Sequence, residues 1–410
     1  MKSGHFGGII IMRKSLYLGE YMIKIFQTGD LHLDSPFSGG DIVRSEKGRK
    51  RLREVFRRMM KYVRENGYDL LLIPGDLYEN GYLTEESAEM LKSEFASLSC
   101  PVVISPGNHD PYEKGSFYAC ADLPENVHIF KSDRTEKIDF DPLGVSVYGY
   151  AFHGINHREN PLEGVYTDGE KINILCAHTE VNVPLSSYAP MSYSDMEAAG
   201  FDYAALAHIH KAPEVYSSRE LTAAYSGFAE GRAFDEIGKG GALSVSVFET
   251  GEHAEIKIEK LDFSEYSFEI LPLNIGGLTS DEEVAESIIS EISSMGYGEK
   301  NAVRISLEGL LGLGFRPNIP WLIRKCDSAV DLLEIKDNSL PLADADELER
   351  DMTLRGEFYR TLKEKINSAD IKERSLAATA LRIGLAALEN RDLSVFLPAE
   401  ENTDIESEAN

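Results

Sequence analysis

Residues 22–34 read MIKIFQTGDLHLD, an apolar run that leads directly into a Gly-Asp pair and then a histidine. Similar arrangements recur in LLLIPGD at 70–76, which has the Gly-Asp pair, and in VVISPGNHD at 102–110, which has Gly-Asn followed by a histidine. Each run has the length of a buried strand, and stretches with helical spacing of apolar residues separate the three runs. Strands that alternate with helices form an α/β sheet, whose ligands lie beyond the carboxyl ends of its strands. The polar residues that follow these runs are therefore the first candidates for a functional site.

The chain continues this pattern as far as residue 263. Helices are predicted at 46–65 and 84–97, and further strands at 145–150, 172–177 and 203–207. From 221 to 262 strand patterns follow one another without helices, which indicates hairpins that complete a second sheet. We therefore predict an α/β domain over residues 22–263, with the candidate functional residues at its strand ends.

Two smaller segments follow this domain. Residues 264–345 are predicted to form a small α/β cap unit, with strands at 268–273, 302–307 and 330–335 and a capping-box pattern at 280–283. Residues 346–398 are predicted to be a C-terminal helical segment, because apolar residues recur there at helical spacing. Those apolar residues are Leu354, Phe358, Leu362 and Ile366, then Leu376, Ala380, Ile383 and Ala387. Residues 1–21 precede the first strand and are interpreted as an extension.

The composition describes a globular protein of more than one domain. Its 410 residues are too many for one ordinary core, and a hydrophobic fraction of 42% argues against disorder. The apolar cluster at 7–12 is too short to cross a bilayer, so we expect a cytoplasmic protein without membrane contact. The formal net charge of -27 excludes a broadly basic surface. Any nucleic acid must therefore be bound through a local basic patch or through metal ions.

Polar side chains that can bind metal ions follow the apolar runs. They are Asp30, His32, Asp76, Asn108, His109, His178, His208 and His210. Carboxylate, imidazole and amide groups suit Mn²⁺, Fe²⁺ or Zn²⁺, and the lack of clustered cysteines argues against structural zinc. Residues two apart in an extended segment point the same way, so Asp30 and His32 can converge on one ion. Asp76 is the candidate for a carboxylate that bridges two ions about 3.5–4 Å apart.

Each of these residues has a simpler explanation when it is taken alone. A lone Gly-Asp pair commonly forms a turn, and a lone histidine after a strand is commonly an ordinary core or surface residue. Five separate elements that present such residues at strand ends are hard to explain in this way. The set as a whole therefore predicts a metal centre.

In their order, these motifs resemble those of the calcineurin-like metallophosphoesterases, with His208-Ile209-His210 as the last motif. The resemblance covers roughly residues 22–250 and implies a two-sheet sandwich flanked by helices. It also implies two divalent ions, with Mn²⁺ as our first choice and Fe²⁺ or Zn²⁺ as alternatives. One departure is Ala207, since the family usually has glycine before the His-x-His pair.

The resemblance implies a role for each matching residue. The first ion would be held by Asp30, His32, Asp76 and His210, and the second by Asp76, Asn108, His178 and His208. His109 would bind no metal but would stabilise the scissile phosphate or protonate the leaving oxygen. Asp110 would orient the ring of His109.

Two stretches resemble a narrower group, the SbcD/YhaO-like DNA repair exonuclease subunits. They are DLHLDSPF at 30–37 and GRAFDEIGKG at 231–240. The cap unit and the C-terminal helices match the layout of that group. This resemblance implies a metal-dependent phosphodiesterase that acts on DNA ends, as an exonuclease or endonuclease. It also implies that the C-terminal segment docks on an SMC-like coiled-coil ATPase, and it allows a homodimer.

Basic residues crowd the segment 44–64 of this otherwise acidic chain. The candidates for DNA contacts are Arg49, Lys50, Arg53 and Arg57. They would contact the phosphate backbone and position DNA without reading its sequence. The alternative is a solvated helix face that binds nothing.

Two other functions are open at this point. A small-molecule phosphoesterase, acting on a nucleotide or a phosphomonoester, would suit the acidic composition better than a DNA nuclease does. A non-catalytic scaffold that binds DNA ends would have the same fold, although the complete set of ligand residues argues against it. Activity on nucleotides would favour the small-molecule phosphoesterase, and a failure to bind metal would favour the scaffold.

Overall fold

The computed structural model describes residues 22–36, 42–211, 213–249, 254–309, 311, 315–339, 345–366, 368 and 370–388. The predicted extension at 1–21 and the end of the predicted helical segment, 389–398, lie outside these residues. The chain divides into two compact units, Met1–Phe268 and Glu269–Asn410. No helix in the described part of the chain is long and apolar enough to span a bilayer.

The first unit contains two six-stranded sheets and four α-helices among its described residues. Its strands are β1 (Met22–Gln27), β2 (Leu70–Ile73), β3 (Val102–Ile104), β4 (Val127–Ile129), β5 (Glu136–Phe140), β6 (Val145–Gly149), β7 (Ile172–His178), β8 (Tyr203–Ala207), β9 (Val215–Ser217), β10 (Thr222–Tyr225), β11 (Gly241–Glu249) and β12 (Ala254–Asp262). Its helices are α1 (Ile42–Asn66), α2 (Glu85–Ala96), α3 (Phe117–Cys120) and α4 (Tyr193–Ala199).

Both sheets have parallel strands at the centre, and antiparallel strands lie at one edge of the first sheet and at both edges of the second. The first has the order β12-β11-β1-β2-β3-β4, in which β1 to β4 are parallel. The second has the order β5-β6-β7-β8-β10-β9, in which β6, β7, β8 and β10 are parallel. The short strands β4 and β5 were not predicted, because β4 has three residues and β5 (EKIDF) is largely polar.

Alternating side chains of the strands build three apolar layers. Ile23 and Ile25 of β1 pack against Val147 and Ile174 of the second sheet, so the two sheets face each other. Phe26 points the other way, toward the apolar side of α1 that the sequence predicts. Leu52, Val55, Phe56, Met59, Met60 and Val63 form that side. The outer face of the second sheet packs against α4. The predicted α/β sandwich flanked by helices is confirmed.

The second unit is a smaller α/β arrangement. Its strands β13 (Ser267–Asn274), β14 (Asn301–Glu308) and β15 (Leu332–Asp337) form one sheet in that order. Its helices are α5 (Asp281–Ser294), α6 (Ile319–Cys326), α7 (Ala345–Arg350), α8 (Leu354–Ile366) and α9 (Ile371–Leu388). The Ser280 side chain caps α5 by accepting a bond from Glu283 N, at the predicted position.

The C-terminal helices differ from the prediction in what they bury. Phe358 and Ile366 of α8 pack in a small core with Leu381 and Leu385 of α9. Leu354 and Leu376, predicted to be on the apolar faces, are 67% and 73% exposed. Ala380 and Ala387 are exposed as well, so the helical spacing was correct but four of the eight predicted apolar side chains are exposed.

Candidate metal centre

The candidate ligands lie at one edge of the first unit, because the parallel strands of each sheet carry their carboxyl ends to that edge. Asp30 and His32 follow β1, Asp76 follows β2, Asn108 follows β3, His178 ends β7, and His208 and His210 follow β8. Backbone hydrogen bonds join the first two loops. Asp30 N donates to Gly75 O at 3.2 Å, and His32 N donates to Asp76 O at 2.9 Å.

The first cluster contains Asp30, His32, Asp76 and His210, which each offer one ligand atom within 4.8 Å of the others. His32 Nε2 lies 3.1 Å from His210 Nε2 and 3.5 Å from Asp76 Oδ2. His210 Nε2 lies 3.5 Å from Asp30 Oδ1. The side chains of all four converge from three loops, which is the geometry that a single ion requires.

The second cluster adjoins the first. His178 Nε2 lies 2.8 Å from Asn108 Oδ1, 3.2 Å from His208 Nδ1 and 3.3 Å from Asp76 Oδ2. The Tyr188 ring packs on His208, with 4.3 Å between the ring centroids. Asp76 Oδ2 therefore lies within 3.5 Å of a histidine nitrogen in each cluster. This is the place from which a carboxylate can bridge two ions.

The protonation of His178 tests whether these residues fit a cation. Its Nδ1 lies 3.1 Å from the Pro74 carbonyl oxygen, which can only accept, so Nδ1 carries the proton. Burial lowers the pKa of His178 to about 4, so the ring is neutral near pH 7 and Nε2 has a lone pair. That lone pair faces two more acceptors, Asn108 Oδ1 and Asp76 Oδ2. An imidazole nitrogen, an amide oxygen and a carboxylate oxygen that face one another are a ligand set that fits a divalent ion.

The electrostatics of the first cluster lead to the same conclusion. Burial, and then the nearby charge of Asp30, raise the pKa of Asp76 to about 7. Burial acts to lower the pKa of His210, but Asp30 and Glu236 outweigh it and raise that pKa to about 10. The raised pKa values favour the protonated forms of Asp76 and His210, which make the site more positive. Two divalent ions would supply that charge.

Backbone strain is concentrated at the candidate ligands. The φ angles of Asp30, His32, Asp76 and His208 are 47°, 44°, 53° and 111°. Such conformations cost non-glycine residues about 1–3 kcal/mol each and commonly mark functional sites. Gly75 has φ 105°, and a Cβ there would lie 2.6 Å from His178 Nδ1. Only glycine can occupy this position without displacing a candidate ligand.

Ala207 is accommodated by the residue that faces it. A Cβ on Gly29 would lie 2.7 Å from the Ala207 methyl group, so the absence of a side chain at 29 makes room for it. Ala207 itself is fully buried at the end of β8. The departure from the usual glycine therefore leaves the loop after β8 in place.

His109 lies at the edge of the site, and the structure corrects the residue expected to orient it. Its side chain is 43% exposed, and its Nδ1 lies 2.9 Å from Glu79 Oε1. Asp110 was predicted to orient the ring, but its carboxylate points away and accepts bonds from the amides of Asp76, Leu77 and Gly107 and from the Tyr118 hydroxyl. Asp110 therefore joins the loops after β2 and β3, while Glu79 contacts His109.

The basic segment forms the long helix α1, and the structure separates its four candidates. Arg53 forms an ion pair with Asp34, with 2.8 Å between Nη1 and Oδ1, and a second with Glu86 at 3.5 Å. It is only 13% exposed, and its role as a DNA contact stays a prediction. Lys50 is 73% exposed and 3.8 Å from Glu54. Arg57 is exposed and Arg49 is half-buried.

Sequence reasoning missed three charged residues that contact candidate ligands. Glu79 Oε2 lies 3.4 Å from His32 Nδ1, in addition to its contact with His109. Glu236 and Arg232 lie beside His210 Nδ1, each at 3.0 Å. Glu79 follows Asp76 by three residues in the same loop, and the other two lie in the stretch GRAFDEIGKG at 231–240. Position within a motif was the available signal, but it did not indicate which atoms would meet.

Comparison with known proteins supports this description of the first unit. Residues 23–212 match the model of a family described as calcineurin-like phosphoesterase. The chain is 29% identical over 238 residues to an uncharacterized metallophosphoesterase, YhaO of Bacillus subtilis, covering 55% of this chain and 57% of that protein. It is 25% identical over 251 residues to the SbcD subunit of the nuclease SbcCD from Staphylococcus epidermidis, covering 52% of this chain and 63% of that protein.

These matches cover less than two thirds of either relative. Among solved structures, the chain is similar to a dimetal phosphatase from Danio rerio, with a TM-score of 0.36 and 10% identity over 58% of this chain and 97% of that chain. A similarity this low adds nothing to the fold or the site. The match to the family model agrees with the two-sheet sandwich and with the clustered Asp, His and Asn side chains. Residues 23–212 of this chain thus match the calcineurin-like phosphoesterase family.

Proposed function

We propose that this chain is a two-metal phosphodiesterase that cleaves DNA at its ends. The observation that carries the proposal is the pair of adjoining clusters that share Asp76, with His109 beside them. Asp30, His32, Asp76 and His210 would hold one ion, and Asp76, Asn108, His178 and His208 the other. When bound, the two ions would neutralise charge on the phosphodiester and acidify the attacking water.

The residues of the chain supply the remaining requirements. His109 N donates to Asp76 Oδ1 at 2.9 Å, so the backbone of His109 is fixed to the proposed bridging residue. Its exposed ring faces solvent beside the two clusters, where a phosphodiester would bind. The hydrogen bond to Glu79 raises the pKa of His109, which favours the imidazolium near neutral pH. An imidazolium can donate a proton to a leaving oxygen.

Glu79→Gln is expected to move the pH–rate profile. The variant loses the carboxylate that raises the pKa of His109, so the imidazolium form disappears at a lower pH. If that form is the proton donor, the basic limb of kcat shifts to lower pH while the rate on its acidic side is kept. The measurement is kcat against pH for a diester with a phenolate leaving group, with Glu113→Gln as the control. An unmoved basic limb would contradict this role of Glu79.

The DNA part of the proposal rests on similarity and on α1. A relative that matches this chain is named as a nuclease subunit. On α1, the basic side chains Arg49, Lys50 and Arg57 are not the ones that pair with Asp34, since Asp34 pairs with Arg53. Among them Lys50 is 73% exposed, which suits a contact to a phosphate backbone. The net charge of -27 opposes DNA binding, and it favours the small-molecule phosphoesterase as a second candidate.

The experiment that tests the function compares substrates at fixed Mn²⁺. Wild-type chain is incubated with a linear duplex, a closed circular duplex, a nucleotide monoester and a simple aryl phosphodiester. Degradation of the linear duplex, with weaker binding at higher salt, supports the nuclease, because each phosphate contact contributes about 0.9 to the salt slope. Hydrolysis of the monoester or the simple diester with an intact duplex supports the small-molecule candidate. Failure to hydrolyse any of them would overturn both.

We also propose that the C-terminal segment 346–398 docks on an SMC-like coiled-coil ATPase. The support is the name of the relative, which designates it as one subunit of a complex, and the exposed apolar side chains of this segment. Met352, Leu354 and Leu376 are 92%, 67% and 73% exposed. Deletion of 346–398 is expected to abolish co-purification with such an ATPase and to spare aryl diester hydrolysis. Equal binding by the full and the shortened chain would refute the docking.

A further inference from the structure

The loop between β10 and β11 carries a buried carboxylate directly behind His210. Glu236 is 1% exposed, and its Oε1 lies 3.0 Å from His210 Nδ1. The opposite nitrogen of the same ring, Nε2, faces the first cluster, 3.1 Å from His32 Nε2. Glu236 therefore contacts His210 on the side away from the proposed ion.

Arg232 fixes the carboxylate of Glu236 from several directions. Its backbone N donates to Oε2 at 2.7 Å. Its Nη2 donates to Oε1 at 2.5 Å, and its Nε lies 3.0 Å from Oε1 and 3.3 Å from Oε2. Arg232 Nη2 also lies 3.0 Å from His210 Nδ1. Arg232 Nη2 is always a donor, and a proton on His210 Nδ1 would make Oε1 of Glu236 the common acceptor of both groups. A bidentate pair of this kind holds a carboxylate in one orientation.

The loop that carries this pair is itself anchored. Gly238 N donates to Phe268 O at 2.9 Å, and Gly240 N donates to Ser264 Oγ at 3.0 Å. The rings of Phe234 and Phe268 meet edge to face, with 5.1 Å between their centroids. Glu236 is thus presented to His210 by a loop that is hydrogen-bonded and packed on both sides of it.

We propose that Glu236 is a positioning residue for His210 and that Arg232 holds Glu236 in that role. A proton on Nδ1 that is donated to Glu236 leaves the lone pair on Nε2, directed at the first cluster. Carboxylates behind metal-bound histidines fix the ring and its tautomer and make the ligating nitrogen more basic. The proposal rests on the proposed function in one respect, which is that the first cluster binds a metal ion.

The test measures metal binding to the full chain. Glu236→Gln keeps the size of the side chain but loses the charge that pairs with Arg232. The affinity for one of two Mn²⁺ ions is expected to fall about 10–100-fold, the usual cost of losing such a partner. Equilibrium dialysis gives the stoichiometry. Electron paramagnetic resonance distinguishes the coupled two-ion spectrum expected of the wild type from the single-ion spectrum expected of the variant at the same free Mn²⁺.

Glu230→Gln is the matched control. Glu230 lies in the same loop, is 2% exposed and faces an arginine, Arg51, at 3.8 Å, but it contacts no candidate ligand among the described residues. This variant is expected to bind two ions as the wild type does. Arg232→Lys keeps the positive charge but not the two-pronged contact, and an intermediate loss is expected. If circular dichroism shows that Glu236→Gln does not fold, the Mn²⁺ affinity of Arg232→Lys tests the proposal in its place.

Three outcomes would overturn the proposal: equal affinities in Glu236→Gln and Glu230→Gln, loss of both ions together, or an Arg232→Lys variant that binds as tightly as the wild type. The proposed function fails in a different way. A wild-type chain that binds two Mn²⁺ ions but hydrolyses no phosphodiester would refute the phosphodiesterase and leave the role of Glu236 standing. A wild-type chain that binds no ion would refute both.

Discussion

Asp76→Asn is expected to abolish the binding of two ions and to lower phosphodiesterase activity at least about 10³-fold, since bridged ions supply most of the charge stabilisation in such sites. Asp76 Oδ2 lies 3.5 Å from His32 Nε2 and 3.3 Å from His178 Nε2, so it is the carboxylate that both clusters share. Asparagine keeps the oxygen that accepts the bond from His109 N but removes the negative charge. The measurements are Mn²⁺ stoichiometry and hydrolysis of an aryl phosphodiester.

Thermal unfolding shows whether this loss has a local cause. Burial raises the pKa of Asp76 to about 7 in the folded chain, above its unfolded value, so ionised Asp76 destabilises the metal-free fold above that pH. In EDTA at pH 8, Asp76→Asn should therefore unfold at the same temperature as the wild type or at a higher one. With Mn²⁺ at 100 times its Kd, the wild type should gain about 2.7 kcal/mol, and the variant should gain less. A variant that is less stable in EDTA, or that still binds two ions, would contradict the bridging role.

His109→Ala is expected to lower kcat about 10²–10⁴-fold while both ions remain bound, the range for loss of a general acid. The side chain is 43% exposed and has no place in either cluster, so its removal leaves no buried cavity. The loss should be greater for a diester with a poor leaving group than for a nitrophenyl diester, because a nitrophenolate needs no proton. Kinetics on the two diesters, together with Mn²⁺ stoichiometry, provide the measurement.

His128→Ala is the control for this variant. His128 is half-buried on β4, packs against Phe140 and contacts no candidate ligand among the described residues. Its removal should change neither kcat nor metal binding. An equal loss for both leaving groups in His109→Ala would assign His109 to charge stabilisation rather than proton donation. Loss of a metal ion in that variant would show that His109 is a ligand.

Much of the fold follows from local sequence patterns. The alternation of apolar runs with helical spacing predicts β1, β2 and β3 and the helices between them, because burial on two sides of a sheet selects continuous apolar strands. The motifs at the ends of these strands come together because parallel strands carry their carboxyl ends to one edge. Chain order and strand direction were therefore enough to group Asp30, Asp76 and His178. The family was predicted on the same motifs, and residues 23–212 match its model.

Tertiary structure decided which partner each polar group meets. Asp110 adjoins His109 in sequence, yet the four donors around it turn its carboxylate away, and Glu79 takes the place beside the ring. Arg53 belongs to a basic segment, yet Asp34 takes up its charge. Leu354 shares the spacing of core residues but is exposed. In each case the outcome depends on a side chain from another loop or helix, which periodicity does not register.

The contrast is sharpest at His210. The sequence alone placed this histidine at the end of a strand, because an apolar run and a two-residue spacing are local features. Its contacts with Glu236 and Arg232 depend on a distant loop, in which Arg232 lies 22 residues after His210 in the chain. That loop is held by bonds to Ser264 and Phe268, farther still. Local burial of apolar residues determines where a strand ends. The partner of a buried charge is instead the group that compensates its desolvation, and that group can come from a distant part of the chain.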